Sequence, residues 1–214
     1  MNKKIITLVV CILIIAIIAI ALIITNGIKN QNLAENNSQR EMSEVTKEQK
    51  NNNILDNKKV AVIYFSATGT TKSVAEKLSK VANADLIEIE PKDKYTSEDL
   101  DYNNDNCRAN QEQNDKNARP EIISSINTDK YDAIFLGYPI WWGTNPRIIQ
   151  TFLDTHNLSG KTIIPFCTSG GSGISTSEND LKIEYSNIKW LSGKRFTRST
   201  TEEELKTWVY GLNY

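Results

Sequence analysis

The sequence predicts an α/β domain built on a doubly wound, five-stranded parallel sheet, preceded by one transmembrane helix and a disordered tether. Three observations carry this. The runs at 60–65, 133–138 and 162–167 are apolar almost throughout, as strands buried on both faces of a parallel sheet must be. Helical patterns alternate with them, which implies right-handed crossovers and helices on both faces. The first 57 residues have compositions that fit neither pattern.

Residues 5–24 hold no charge and Thr7 is their only hydroxyl. A helix of this length matches the roughly 30 Å hydrocarbon core of a bilayer. A cleaved signal peptide would have an apolar region of about 7–15 residues and a small-x-small cleavage site. Leu22-Ile23-Ile24-Thr25 offers none, so residues 1–25 are expected to form an uncleaved membrane anchor. Lys3 and Lys4 precede the run and Lys29 is the nearest cation after it. That bias favours the N-terminus inside and the rest of the chain on the extracytoplasmic side of the cell membrane.

Residues 26–57 are rich in Asn, Gln, Glu, Lys and Ser. Such a stretch buries too little apolar surface to offset its ordering entropy. It is expected to be a flexible linker, spanning roughly 30 Å root-mean-square. Residues 58–214 suit a single domain.

Within that domain, 60–65 is the first strand and 71–82 the first helix, with Val74, Ala75, Leu78, Val81 and Ala82 on one face. Residues 84–89 alternate and read as a strand near an edge. Residues 133–138 form the third strand. Asn145 then caps a helix with Pro146 in its first turn. Residues 162–167 form the fourth strand, although Pro165 argues against a central place. Residues 174–185 read as a helix, 188–191 as a short fifth strand and 202–210 as a closing helix. Glu202, Glu203 and Glu204 complement that helix's dipole. Residues 92–130 interrupt the rhythm with a long polar segment, in which Ser97 opens a short helix and Pro120 another, burying Ile122, Ile123 and Ile126. Segments of this length without structure of their own are usually functional.

Composition excludes several functions. The net charge is −1 and no basic stripe is present, which argues against nucleic acid. Three cysteines, Cys11, Cys107 and Cys167, and a single histidine cannot build a zinc site. A Cys107–Cys167 disulfide is an option outside the cell. His156 falls at a helix end and reads as a solvated imidazole, so no acid/base dyad is assigned.

In doubly wound sheets, ligands bind beyond the carboxyl ends of the strands. Three loops lie there. Ser66-Ala67-Thr68-Gly69-Thr70-Thr71 offers hydroxyls and first-turn amides at a helix N-terminus, an anion site. It has no lysine and neither the GxxxxGK[ST] nor the GxGxxG spacing, so a terminal phosphate monoester suits it better than a triphosphate. Tyr138-Pro139-Ile140-Trp141-Trp142-Gly143 supplies a rigid aromatic wall, on which a planar heteroaromatic would gain about 0.5–1.5 kcal/mol beyond burial. Thr168-Ser169-Gly170-Gly171-Ser172-Gly173 leaves backbone amides open ahead of a helix.

The first loop resembles the phosphate loop [TS]-x-[TS]-G-x-T of the flavodoxin superfamily at each defined position. The other two loops, with Asp101-Tyr102-Asn103, Arg119-Pro120 and residues 190–195, are similar to a bacterial flavodoxin-like subfamily; the resemblance covers residues 59–212. It implies noncovalent FMN on a sheet of order 2-1-3-4-5. Ser66, Thr68, Gly69, Thr70 and Thr71 would hold the phosphate. Pro139, Ile140, Trp141, Trp142 and Gly143 would line one side of the isoalloxazine, and Thr168, Ser169, Gly170, Gly171 and Gly173 its pyrimidine side. The anchor and tether depart from a soluble flavodoxin, so the electron donor and acceptor do not carry over. The expected function is a membrane-tethered FMN redox protein passing electrons to a quinone-like or protein acceptor. An NAD(P)H or quinone reductase, a non-catalytic carrier and a flavin-binding surface module are its variants. Tyr102 and Arg108 are candidates for substrate contact.

Overall fold

The structure is a computed structural model and describes residue 55 and residues 58–212. The anchor, most of the tether and Cys11 lie outside the described residues. Among the described residues no helix is long and apolar enough to cross a membrane.

The first strand, β1 (Val60–Tyr64), is buried at every position. Its side chains alternate between two cores. Ala61 and Ile63 face one, while Val60, Val62 and Tyr64 face the other, which is the period-two geometry of a strand covered on both sides. Helix α1 (Thr70–Val81) follows, then the edge strand β2 (Asp85–Glu88). A short helix, α2 (Arg108–Asn114), lies within the long polar segment. Strand β3 (Ala133–Pro139) leads to α3 (Ile148–Thr155), and β4 (Thr162–Thr168) to α4 (Ser175–Glu184). Two short strands, β5 (Lys189–Trp190) and β6 (Lys194–Phe196), precede the last helix, α5 (Glu202–Tyr210).

The sheet order is β2-β1-β3-β4-β5, with β6 also pairing β4, and every ladder is parallel. Phe152, Leu153 and Leu181, from α3 and α4, pack on one face. Val74, Leu78, Leu205 and Val209, from α1 and α5, pack on the other. Each such side chain contributes about 1.5–3 kcal/mol by leaving water.

Several expectations need correction. Pro165 sits in a strand paired on both sides, not at an edge. Its neighbouring strand is broken there: β5 pairs with Thr162 and Ile163, β6 with Phe166, Cys167 and Thr168. A proline at the gap costs no ladder bond on that side. The fifth strand is therefore two pieces, making six strands in all among the described residues. Residues 120–127 are not helical. Pro91 and Ile122 form an antiparallel bridge, the Ile123 amide donates to Glu90 O (3.0 Å), and Ile123 is 56% exposed. Residues 97–100 form a turn, not a helix. Asn145 does not cap α3, which begins three residues later without a side-chain cap. It is fully buried, and its amide donates to Gln150 Oε1 at 2.8 Å.

The acidic start of α5 is a full capping box: the Glu204 amide donates to Thr201 Oγ1 (3.2 Å) and the Thr201 amide to Glu204 Oε2 (2.8 Å). Thr201→Ala should cost about 1 kcal/mol in urea unfolding.

Candidate functional site at three strand ends

The loop after β1 turns on Gly69, whose φ of +82° lies in the left-handed region that glycine adopts without penalty. Ser66 Oγ accepts the Gly69 N–H at 3.1 Å, fixing the turn before α1. The first-turn amides of a helix have no intrahelical acceptor and carry its positive end. Thr71 is buried and its hydroxyl lies 2.8 Å from that of Thr168. Thr68 is exposed and Thr70 half-buried, whereas the Thr71 hydroxyl is taken up by Thr168.

Thr168 ties all three loops together. Its hydroxyl meets Thr71, and its carbonyl accepts the Ile140 N–H at 3.0 Å. These bonds connect the ends of β1, β3 and β4 into one rim. In sheets of this order, with flavodoxin as the established example, the ligand lies at the β1/β3 switch point.

The second loop is a tight hairpin. Trp141 and Thr144 exchange backbone bonds of 2.9 and 3.0 Å, with Trp142 (φ +47°) and Gly143 (φ +83°) between them. Positive φ at both central residues is the I′ geometry. For a tryptophan it is strained by roughly 1–2 kcal/mol. Trp141 is held edge-on by Phe65 (5.7 Å) and Tyr95 (5.2 Å), so this indole is half-buried against the core. Trp142 points outward, 50% exposed.

The polar segment docks on this hairpin, a placement that no local sequence signal announces. Tyr95 reaches Trp141, and its hydroxyl donates to Glu112. Burial, then this bond, hold its phenol protonated well above the ordinary range. Arg108 lies over the Tyr95 ring at 4.1 Å and donates to Glu112 Oε1 at 2.6 Å. Gln113 Nε2 donates to Trp141 O (3.2 Å) and Asn145 O (3.3 Å). Arg147 closes the end of α2 by donating to Gln113 O at 2.9 Å. Arg108 therefore braces the segment. Tyr102 lines a cavity of about 420 Å³ together with Thr68, Leu100, Ala109, Ile140, Trp141 and Trp142. Leu100 and Ala109 belong to no motif. Their only signal in the sequence is being apolar residues in a polar stretch near Tyr102.

The third loop follows β4. Ser169 Oγ donates to Ser172 O, and Arg195 Nη1 to Ser169 O at 3.2 Å. A Cβ added at Gly170, Gly171 or Gly173 would meet nothing within 4 Å, so the space in front of this backbone is open. These glycines and Ser169 border the rim, while the 420 Å³ cavity is lined from the first two loops and the polar segment. Pro139 ends β3 ahead of the hairpin, and Gly143 lies at the hairpin's tip.

Cys107 and Cys167 are both free and buried, so the disulfide option does not hold. His156 Nδ1 lies 2.9 Å from Phe152 O at the end of α3, a capping position. No group of metal-binding side chains occurs among the described residues. Burial pushes the Cys167 thiol up to about 12. Unfolded, it would ionise near about 8.5. The unfolded state thus binds fewer protons above that pH, and stability falls as pH rises through this window. Urea midpoints at about pH 7.5 and 9.5 should therefore differ less in Cys167→Ala than in the wild type, and thiol reagents should spare Cys167 in the folded protein.

A parallel sheet of this order, with a polar anion loop, an aromatic hairpin and an open glycine loop at adjacent strand ends, defines a doubly wound ligand-binding domain. The flavodoxin family model matches residues 59–212, and the chain belongs to the flavodoxin family. Among solved structures, a flavoprotein from Bacteroides eggerthii is 46% identical, with a TM-score of 0.69 over 71% of this chain and 96% of that one. One from Bacteroides uniformis is 40% identical, with a TM-score of 0.69 over 71% and 97%. A Lactobacillus acidophilus flavoprotein solved in complex with FMN is 25% identical, with a TM-score of 0.56 over 71% and 98%. No curated protein matches the chain.

Proposed function

We propose that the chain binds FMN without a covalent link and serves as a redox protein held to a membrane by residues 5–24. The observation that carries this is the convergence of the three loops on Thr168. With the loops joined there, an anion cup, an aromatic wall and open amides would lie within one ligand's reach. The donor set fits an FMN: hydroxyls and amides for a single phosphate, a half-exposed indole for a flat ring, and clear space before Gly170, Gly171 and Gly173 for the ring's polar edge.

Each group has a separate task. Thr68, Thr70 and the first-turn amides of α1 would hold the phosphate, with Ser66 and Gly69 setting the turn. Ile140, Trp141 and Trp142 would flank the ring, with Pro139 and Gly143 fixing the hairpin. Thr168, Ser169 and the three glycines would address the pyrimidine edge, and Thr71 would lock the rim through Thr168. Bound flavin would supply the electron chemistry, and the protein its position and electrostatics. The tether would let the domain work clear of the headgroups, on the extracytoplasmic side by the lysine bias.

Full-length protein purified in detergent should be yellow and release FMN on denaturation. A colourless protein that cannot be reconstituted with FMN would overturn the proposal. A flavin-binding module without turnover would be yellow but show no reversible reduction by dithionite.

A further inference from the structure

A cavity of about 300 Å³ is lined from β6 and the start of α5, with Lys194, Arg195, Thr197, Thr200, Glu204 and Thr207 among its walls. It shares no residue with the 420 Å³ cavity, and none of its residues is assigned to the flavin. Among the described residues β6 pairs only with β4, so Lys194 and Arg195 stand on a sheet edge. Cations on an edge strand can serve merely to repel other strands. Thr200 sets this edge apart, because it is only 6% exposed and yet lines the cavity beside them.

The hydrogen-bonding capacity left unspent on these walls is mostly of donor type. Lys194 makes no hydrogen bond or ion pair among the described residues; its Nζ lies 5.7 Å from the centre of the Phe196 ring. Arg195 gives one N–H, from Nη1, to Ser169 O at 3.2 Å, which leaves Nε and Nη2 undonated. Thr200 Oγ1 accepts the Thr197 amide at 3.0 Å, and its own hydrogen goes to no described acceptor. Glu204 is the one carboxylate of the lining. Its Oε2 already accepts the Thr201 amide (2.8 Å) and hydroxyl (3.2 Å). Lys77 adds a further positive charge, donating to Thr200 O at 2.7 Å. Three cations therefore stand against one carboxylate.

Unfilled donors from three side chains, with positive charge in excess, call for an acceptor with several oxygens. A carboxylate offers two in one plane. A phosphate offers three or more around a tetrahedron, and Lys and Arg are the side chains that bind it. The polar cavity of about 320 Å³ at the ends of β1 and β2 has no such bias, since Lys72 and Lys94 are matched there by Glu88 and Glu90. We infer that the pocket of Lys194, Arg195 and Thr200 binds a phosphate group, either free or carried on a small ester. This site is separate from the one proposed for FMN and does not depend on it.

The test dialyses full-length Thr70→Glu protein in detergent to equilibrium against radiolabelled inorganic phosphate; that substitution bars the first loop to the probe. Uptake should saturate at one phosphate per chain. Adding Lys194→Met should raise half-saturation about tenfold, the scale of one charge-assisted hydrogen bond. Thr200→Val should act in the same direction, whereas Thr200→Ser, which keeps the hydroxyl, should leave the curve in place. So should Lys206→Met, a control for net charge whose ammonium is paired with Glu203 at 3.5 Å. Glycerol phosphate displacing the label at lower concentration than unlabelled phosphate would identify an ester as the ligand, and equal displacement the free anion. No saturable uptake, or equal losses in Lys194→Met and Lys206→Met, would overturn the inference while leaving FMN binding intact. Failure of the wild type to bind FMN would overturn the flavin reading and not this one.

Discussion

Gly137→Ala should lower the unfolding free energy by about 3 kcal/mol, at the upper end of what overpacking costs in a filled core. A Cβ at this position would lie 2.1 Å from Phe166 Cζ and within 2.7 Å of both ring Cε atoms. Gly137 pairs with Tyr64 on one side and Phe166 on the other, so its backbone is fixed by two ladders. Phe166 is fully buried and packs on Phe196 at 6.4 Å, which leaves its ring little room to retreat. Phe166→Leu removes the three ring atoms that clash. The double variant should therefore be more stable than Gly137→Ala alone, a favourable coupling between neighbours. Urea denaturation of the four proteins measures it. A Gly137→Ala midpoint equal to the wild type would show that the Phe166 ring moves aside freely.

Thr70→Glu should weaken FMN binding on the order of 100-fold or more while changing riboflavin binding only slightly. Thr70 is the first residue of α1, where its side chain borders the proposed phosphate position. A carboxylate about 4 Å from a phosphate is repelled by about 4 kcal/mol per charge pair at an effective dielectric of 20. Riboflavin lacks the phosphate and escapes the penalty. The fold should not suffer, because an acidic residue in a first turn complements the helix dipole. Fluorescence titration with both flavins separates a phosphate effect from general damage. Equal loss for both would place the phosphate elsewhere.

Much of the sheet is legible in the sequence because its strands are buried on both faces. Residues 60–65, 133–138 and 162–167 have only one sensible environment, and the loops after them follow from the rule for doubly wound sheets. Local signals fail where tertiary contacts decide. Ile122 and Ile126 fit a helical spacing and a strand spacing equally; a bridge to Pro91 selects the extended form. Helix α2 has no apolar stripe, and its cap is a cysteine whose Sγ accepts the Asn110 N–H at 3.4 Å. Asn110 binds the carbonyls of Tyr102 and Asn104, contacts no periodicity could announce. Pro165 looks misplaced until the break between β5 and β6 is seen. In the site, the residue types and loops are readable, but not their division of labour. Thr71 turns inward to Thr168, Trp141 packs against the core while lining the cavity, and Leu100, Tyr102 and Ala109 complete the cavity from a segment whose position depends on tertiary contacts.

Everything proposed for the site depends on the three loops forming one FMN pocket. Titration of flavin-stripped, full-length protein with FMN and with riboflavin, followed by quenching of flavin fluorescence against the tryptophan hairpin, tests this most directly. FMN should bind saturably at micromolar concentration or below, about −8 kcal/mol, with riboflavin at least roughly 100-fold weaker for want of charge-assisted bonds to the cup. No saturable binding of FMN, or equal binding of the two flavins, would contradict it.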